Sequence, residues 1–186
     1  WSSDVCSSDL QQRVPAPVNP LAHAIEIEGL RKAYRVGGQR LQVLDGLSLR
    51  AERGEFVTLI GPSGCGKSTV LSLVAGLQHP DEGQIRFDGA VTEQRLGRCG
   101  WMPQRDLLLP WRTVLGNVLL APEVHGEGLR QAREEALRLL PLFGLEGFGD
   151  SYPAALSGGM RQRAALLRTF LTRSGVLLLD EPFGAL

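Results

Sequence analysis

The sequence has no excess of charge of either sign, few aromatic residues and no long apolar run. Lys plus Arg and Asp plus Glu number 20 each, and aromatic residues make up 6% of the 186 positions. Overall charge therefore gives no reason to expect binding to nucleic acid or to an anionic membrane surface. No stretch approaches the roughly 18 apolar residues of a membrane-spanning helix, and no secretory signal pattern occurs. We expect a cytoplasmic chain that binds any polyanion locally.

Cysteines are also scarce. The three cysteines, Cys6, Cys65 and Cys99, show neither the spacing of a metal site nor that of a disulfide framework. Hydrophobic residues at 43% and charged residues at 22% are typical of a globular protein with a sizeable core. Cys65 lies in a glycine-rich loop, where we interpret it as a tolerated small residue rather than a redox switch.

The first residues do not resemble protein sequence that folds. Trp1 to Leu10 reads as the translation of a sequencing-library adapter, and we exclude this segment from the fold prediction. Gln11 to Leu21 contains three prolines and little periodicity, which predicts a disordered lead-in. The predicted domain covers residues 22–186.

A phosphate-binding loop is the strongest feature that is present. Residues 61–69 have the spacing G-x-x-x-x-G-K-[ST] and lie between an apolar run, Glu55 to Ile60, and a helical pattern, Ser68 to Leu77. Glycines let successive backbone N–H groups point at a polyphosphate, and the following helix directs its positive end at the same anion. Lys67 would reach the outer phosphates and the Ser68 hydroxyl would hold Mg²⁺. The candidate nucleotide-binding residues are Gly61, Pro62, Ser63, Gly64, Cys65, Gly66, Lys67, Ser68 and Thr69.

Alternating apolar residues predict strands on both sides of this loop. Before it, the predicted strands are Ala24–Leu30, Val43–Arg50 and Glu55–Ile60, in an antiparallel-leaning sheet; after it, they are Gln84–Phe87 and Arg98–Met102. Tyr34 follows the first predicted strand. It could stack on an adenine ring or be an ordinary surface tyrosine, and its spacing does not decide between the two.

Gln104 follows the strand that ends at Met102, and a helical stretch comes next. Thr113 is a suitable N-cap for a helix over Val114–Leu120, and apolar residues at helical spacing fall within Gly126–Leu140, before Pro141. Because residues of about 107–155 interrupt the alternation of strands and helices, we interpret them as an inserted helical subdomain.

Two further segments could carry chemistry. Ser157, Gly158 and Gly159 open an amphipathic helix that runs to about Leu171, and they are either a second anion site or a plain N-cap with a glycine-rich turn. Val176–Leu179 predicts a parallel strand buried on both faces that presents Asp180 and Glu181 at its carboxyl end. One acid could hold Mg²⁺ while its neighbour orients or deprotonates water; the alternative is a solvated acidic turn.

In combination, the phosphate loop, LSGGMRQR and LLLDEPFGAL resemble the nucleotide-binding domain of ABC transporters over Ala24 to Leu186. The resemblance implies an α/β fold: a P-loop NTPase core with an N-terminal antiparallel β subdomain and an inserted helical subdomain, lacking its C-terminal part. It also implies roles for individual residues. Tyr34 would stack on adenine, residues 61–69 would form the Walker A loop with Lys67 assisting catalysis, and Gln104 would be the Q-loop glutamine that touches Mg²⁺ and water. Leu156–Met160 would be the signature, Asp180 the Mg²⁺ ligand, and Glu181 the catalytic glutamate.

The resemblance further implies ATP and Mg²⁺ as cofactors and two kinds of partner. A second copy would pair head to tail, so that Ser157, Gly158 and Gly159 close over the ATP of the partner subunit. Permease subunits would dock near the Q-loop and the helical subdomain, which would place the chain peripherally on the inner face of the cell membrane. A solute-binding protein would be an indirect partner, and nucleic acid would not be one.

The segment from Gln104 to Val118, together with EPFGAL, looks most like importers of the nitrate, sulfonate and taurine group, which includes uptake systems for pyrimidine precursors. The alternatives are a soluble ABC-type ATPase without a transport role and a non-catalytic nucleotide-binding fragment. In the family, a D-loop aspartate and a switch histidine would follow Leu186. We therefore expect the chain as written to hydrolyse ATP little or not at all.

Overall fold

The computed structural model describes residues 24–126 and 128–184. The strands are β1 (Ile25–Val36), β2 (Gln39–Ala51), β3 (Glu82–Phe87), β4 (Ala90–Val91), β5 (Gly100–Met102) and β6 (Leu177–Leu179). The helices are α1 (Lys67–Val74), α2 (Val114–Val118), α3 (Leu120–His125), α4 (Leu129–Leu139) and α5 (Gly158–Phe170), with a 3-10 turn at Pro153–Ala155. The predicted adapter segment, residues 1–10, and the predicted lead-in, residues 11–21, lie outside the described residues.

The N-terminal strands form the predicted antiparallel sheet, with the order β2-β1-β3-β4. The β1–β2 hairpin closes over Gly37 and Gly38, whose φ angles of 58° and 83° suit a two-residue turn that follows the twist of the strands. The prediction placed Tyr34 after the first strand, and this was wrong. Tyr34 lies within β1, opposite Leu41 of β2, because the hairpin extends the pairing almost to the turn.

A second sheet consists of the parallel pair β5 and β6, in register from Gly100 opposite Leu177 to Met102 opposite Leu179. The Asp180 N–H continues this ladder by donating to the Met102 carbonyl at 2.9 Å. The prediction that this strand is buried on both faces was only half right. Leu178 is 7% exposed, whereas Leu177 is 38% exposed, because the packing of the described residues covers one face of β6 more fully than the other.

The predicted strand over Glu55–Ile60 is not a strand in the structure. Phe56 is 85% exposed and Ile60 is 92% exposed, so the apolar side chains of this segment lack a covering layer among the described residues. A β-strand is defined by hydrogen bonds to a neighbouring strand, and an apolar pattern alone does not supply that neighbour. In the described part of the chain, β5 and β6 pair with each other and leave this segment unpaired.

The helices lie in the predicted stretches, except that one predicted helix is divided into two. The Thr113 hydroxyl accepts a hydrogen bond from the Gly116 N–H at 3.1 Å, which confirms the predicted N-cap of α2. The helix predicted over Val114–Leu120 ends at Val118, and α3 starts at Leu120 with Pro122 in its first turn, where a missing N–H is tolerated. In the described residues, no helix is both long and apolar enough to cross a membrane.

Two hydrophobic cores meet at the parallel pair. One core joins β1 and β3 to α1 and includes Leu178, while the other joins α2, α4 and α5 and is contacted by Leu179. The strand β6 therefore lies at the boundary between the sheet core and the helical core. The residues that follow β5 and β6 are held by both, and they form the candidate site. The division of the chain into subdomains remains a prediction.

Candidate active site

The phosphate loop precedes α1 and depends on glycine at two positions. Gly64 and Gly66 have φ angles of 82° and 101°, in the region that side chains with a Cβ rarely adopt. A Cβ at Gly66 would also lie 3.0 Å from Leu44 Cδ2 and 3.1 Å from Val43 Cγ1. The loop is therefore pressed against β2 and keeps its backbone close to the start of α1.

The start of α1 carries positive charge that neither its N-cap residue nor its first turn neutralises. Gly66 is the N-cap and supplies no capping side chain, and the first turn contains no acidic residue. Lys67 Nζ folds back over the loop, donating to the carbonyls of Gly61 at 2.8 Å and Pro62 at 3.0 Å. Ser68 is exposed in the same turn. A helix start with unneutralised amides, an ammonium and a hydroxyl suits an anion bound together with a cation.

Tyr34 is connected to this loop through β2. It lies opposite Leu41, and Val43, two residues further along β2, contacts the position of Gly66. The phenol O–H donates to Gln78 Oε1 at 2.5 Å, and Lys32 Nζ lies 5.8 Å from the centre of the ring. The tyrosine is thus held in one orientation on β1, beside the strand that packs against the loop.

The carboxyl ends of β5 and β6 bring Gln104 and Glu181 together. Gln104 Nε2 donates to Glu181 Oε2 at 2.8 Å, across 77 positions of sequence. Glu181 has a φ of 50°, a left-handed conformation that is uncommon for a residue other than glycine. Strain of this kind is concentrated at functional sites.

Asp180, next to Glu181, is a buried acid that is only 7% exposed. Within residues 24–126 and 128–184, no side chain or N–H group bonds its carboxylate. Burying an ionised carboxylate without a partner is costly, and a cation would remove that cost. Carboxylate and hydroxyl oxygens are the ligands that Mg²⁺ prefers, so the Asp180 carboxylate fits such an ion.

The segment of Ser157, Gly158 and Gly159 forms the start of α5. Ser157 is the N-cap of α5, and its hydroxyl accepts a hydrogen bond from the Met160 N–H at 3.2 Å. Gly158 lines a cavity of about 600 Å³ together with Gln104 and Glu181. Its described lining includes no residue of the phosphate loop. A second anion site at this helix start stays a prediction.

Three polar residues of α5 whose roles the sequence did not indicate tie the helix to the site. Arg161 Nε pairs with Asp106 Oδ2 at 3.2 Å, and Gln162 Nε2 donates to the Glu181 carbonyl at 2.8 Å. Arg168 donates to the carbonyls of Asp106 and Leu107, both at 2.7 Å, and its burial lowers the pKa of its guanidinium. Arg161 and Gln162 fall within LSGGMRQR, but that motif does not show which groups of other elements the two side chains contact.

A buried arginine outside the predicted set secures the far end of α1. Arg95 is 4% exposed and donates to the carbonyls of Leu73 at 2.9 Å, Thr92 at 2.7 Å and Gln78 at 3.2 Å. Burial lowers the pKa of this guanidinium. Because Gln78 also bonds Tyr34, the same network joins the carboxyl end of α1 to the tyrosine.

This combination of a glycine-rich loop, a buried acid after a parallel strand and a serine-capped helix defines a class of nucleotide-binding cassette. A sequence profile described as ABC transporter matches residues 44–184. The chain therefore belongs to the ABC transporter family.

Among the relatives is the taurine import ATP-binding protein TauB of Pseudomonas aeruginosa, 42% identical over 86% of this chain and 60% of TauB. The aliphatic sulfonates import ATP-binding protein SsuB 1 of Rhodococcus jostii is 46% identical over 87% of this chain and 61% of its own length. The formylaminopyrimidine import ATP-binding protein ThiZ of Halalkalibacterium halodurans is 46% identical over 77% of this chain and 55% of its own length. The chain thus spans 55–61% of the length of these relatives, less than two thirds.

A solved structure has a similar fold. The dimeric structure of a post-hydrolysis state of the ATP-binding cassette MJ0796, bound to ADP and Pi, matches with a TM-score of 0.79 and 32% sequence identity. The match covers 87% of this chain and 75% of that one. It confirms the predicted P-loop ABC ATPase fold.

Proposed function

We propose that this chain is the ATP-binding and hydrolysing part of an ATPase that powers solute import through an ABC transporter. The observation that carries the proposal is the Gln104–Glu181 hydrogen bond of 2.8 Å beside the buried Asp180 carboxylate. Asp180, an acid that suits Mg²⁺, and Glu181, an acid that can orient water, are then adjacent at the end of β6. The phosphate loop supplies the third component of a phosphoryl-transfer site.

Each component has a distinct role. The triphosphate would lie on residues 61–69, and Lys67 would exchange its two carbonyl partners for phosphate oxygens. Ser68, Gln104 and Asp180 would hold Mg²⁺, which neutralises charge on the phosphates when it is bound. Glu181 would orient the attacking water and accept its proton, with Gln104 fixing one oxygen of the carboxylate.

The adenine base of ATP and the second copy of the chain would be bound by other surfaces. Tyr34 would stack on adenine, with its ring held by Gln78. Ser157, Gly158 and Gly159 would contact the ATP of the partner subunit in a head-to-tail dimer. Two facts support this: the described lining of the cavity beside Gly158 includes no residue of the phosphate loop, and the matched MJ0796 structure is dimeric.

A groove between α3 and the carboxyl end of α5 is the proposed dock for a permease at the inner face of the cell membrane. This cavity of about 260 Å³ is lined on one side by Leu120, Ala121 and Val124, and Val124 is 74% exposed. Trp101 and Arg168 line it as well. Because Arg168 also holds the carbonyls after Gln104, a helix seated there would be mechanically linked to the site.

The transported solute would belong to the nitrate, sulfonate and taurine group. The support is that TauB, SsuB 1 and ThiZ, by their names, serve import of taurine, aliphatic sulfonates and formylaminopyrimidine. The choice of solute would lie with a binding protein and a permease.

The test is phosphate release from MgATP by the purified full-length protein. We expect hydrolysis by the wild type and a loss of kcat of about 100-fold or more in Glu181→Gln, within the range for removal of a general base. Glu134→Gln, the same change at an exposed acid of α4, is the control and should hydrolyse normally. Wild-type activity that survives Glu181→Gln would contradict the proposal.

Import is tested separately, in proteoliposomes that contain the cognate permease. We expect ATP-dependent uptake of taurine, an alkyl sulfonate, nitrate or a pyrimidine precursor. An active ATPase that binds no permease and drives no uptake would favour the soluble ATPase instead.

A further inference from the structure

Gln162 is a buried amide on a mostly apolar face of α5. It is 6% exposed, and Ala165 and Thr169, on the same face three and seven residues later, are buried as well. A buried amide requires a hydrogen-bond partner, and Gln162 Nε2 donates to the Glu181 carbonyl at 2.8 Å. This bond joins two elements that lie 19 positions apart in the sequence.

Glu181 is held at both of its ends. Its carbonyl accepts from Gln162 and from the Gly184 N–H at 3.1 Å, and its carboxylate accepts from Gln104. The φ of 50° is a strained conformation for a residue other than glycine, and it persists only where the surroundings enforce it. Two glutamine amides thus fix the backbone and the carboxylate of a single strained residue.

The position of Gln162 on α5 gives this contact a direction. Gly158, at the start of the helix, lies one turn earlier, or about 6 Å along the axis. The adjacent Arg161 pairs with Asp106, two residues beyond Gln104. A displacement of the start of α5 would therefore reach Glu181 directly through Gln162, and would reach the Gln104 segment through Arg161.

We propose that Gln162 is a positioning residue that aligns Glu181 for hydrolysis and makes this alignment depend on the placement of α5. The inference rests on the proposed role of Glu181 in orienting water. It adds a link within one chain between the helix that starts at Ser157 and the acid that acts on ATP. Gln162 itself touches neither nucleotide nor water in this account.

The test uses the full-length protein with Gln162→Met, which keeps the size and removes the donor, and Gln162→Glu, which sets a carboxylate against the carbonyl. Gln94→Glu, at an exposed position, is the matched control. We expect kcat to fall about 10- to 100-fold in both Gln162 variants, with KM for ATP within about twofold of wild type. The Gln162→Glu rate should be the lower of the two because like partial charges would face each other.

A double-mutant cycle separates alignment from mere stability. If Gln162 acts through Glu181, then adding Gln162→Met to Glu181→Gln should lower the rate by less than about twofold. A structural role would give a further loss in the double variant equal to that of Gln162→Met alone. Rates are expressed per site that binds ATP, so partial unfolding does not imitate a loss of alignment.

The outcomes discriminate between the two proposals. The role of Gln162 is overturned if the Gln162→Met protein binds ATP and has a kcat within twofold of wild type. It is also overturned if the rate losses add in the double variant, or if kcat falls and the affinity for ATP weakens to the same extent. A wild-type protein that does not hydrolyse ATP overturns the proposed function, and this inference with it. A loss in kcat that is absent from the Glu181→Gln background supports the inference.

Discussion

Replacing Asp180 with asparagine should make the protein without ligand more stable while removing its response to Mg²⁺. Asp180 is 7% exposed, and its carboxylate bonds none of the described residues. An uncompensated buried charge costs several kcal/mol, whereas a neutral amide costs about 1–3 kcal/mol. We expect Asp180→Asn to raise the free energy of unfolding by about 1–2 kcal/mol, or Tm by about 2–8 °C.

With MgATP bound, the wild type should gain more stability than Asp180→Asn. A ligand that binds the folded protein at 100 times its Kd adds about 2.7 kcal/mol to stability. We expect MgATP to stabilise the wild type by about this amount and Asp180→Asn by much less. The assay is urea unfolding of the full-length protein in EDTA, in Mg²⁺ alone and in MgATP, with Asp150→Asn, an exposed acid, as the control.

Two results would refute this reasoning. One is an Asp180→Asn protein that is less stable than wild type by more than about 1 kcal/mol in EDTA, because the carboxylate would then have a favourable partner in the fold. The other is an Asp180→Asn protein that MgATP stabilises as much as it stabilises the wild type, because binding of the metal would then not depend on Asp180.

Three further predictions use the same protein. Tyr34→Ala should weaken ATP binding about 5- to 150-fold, because one stack of the base on an aromatic ring is lost, and Tyr34→Trp should restore the affinity. Calorimetric titration measures the affinity, and equal affinities of the wild type and Tyr34→Ala would exclude stacking. Gly66→Ala should lower the free energy of unfolding by about 1–3 kcal/mol because of the φ of 101° and the 3.0 Å approach to Leu44, and a neutral result in urea would contradict the loop geometry. Burial raises the pKa of the Cys99 thiol to about 11, so iodoacetamide at pH 8 should modify the exposed Cys65 and spare Cys99. In the folded state the Cys99 thiol holds its proton more tightly than in the unfolded state. The protonated thiol therefore favours the folded state at lower pH, and this contribution to stability should be lost as pH rises towards 11. Rapid labelling of Cys99 at pH 8 would contradict the raised pKa.

Features that depend on adjacent residues were predictable from the sequence. The phosphate loop, the Thr113 cap and the start of α5 at Ser157 each follow from a few neighbouring residue types, and the structure has the loop and caps where the pattern put them. The proximity of Gln104 to the acids was also within reach, because parallel strands present their carboxyl ends at one edge of a sheet.

Features that depend on distant partners were not predictable. The apolar run Glu55–Ile60 has the composition of a strand, but pairing requires a neighbour that the run itself cannot specify. Gln162 and Arg95 are polar residues whose partners, the carbonyls of Glu181 and Leu73, belong to other elements. Only the packing of α5 against β6, and of the segment after β4 against α1, shows which backbone groups they satisfy.

The most direct test of the account is a crystal structure of full-length Glu181→Gln with ATP and Mg²⁺. We predict that the triphosphate lies on residues 61–69 and that Ser68, Gln104 and Asp180 surround the metal. We further predict that Ser157 of the partner subunit contacts the terminal phosphate. A nucleotide bound away from the loop, or a metal with no oxygen of Asp180 in or next to its coordination shell, would contradict the account.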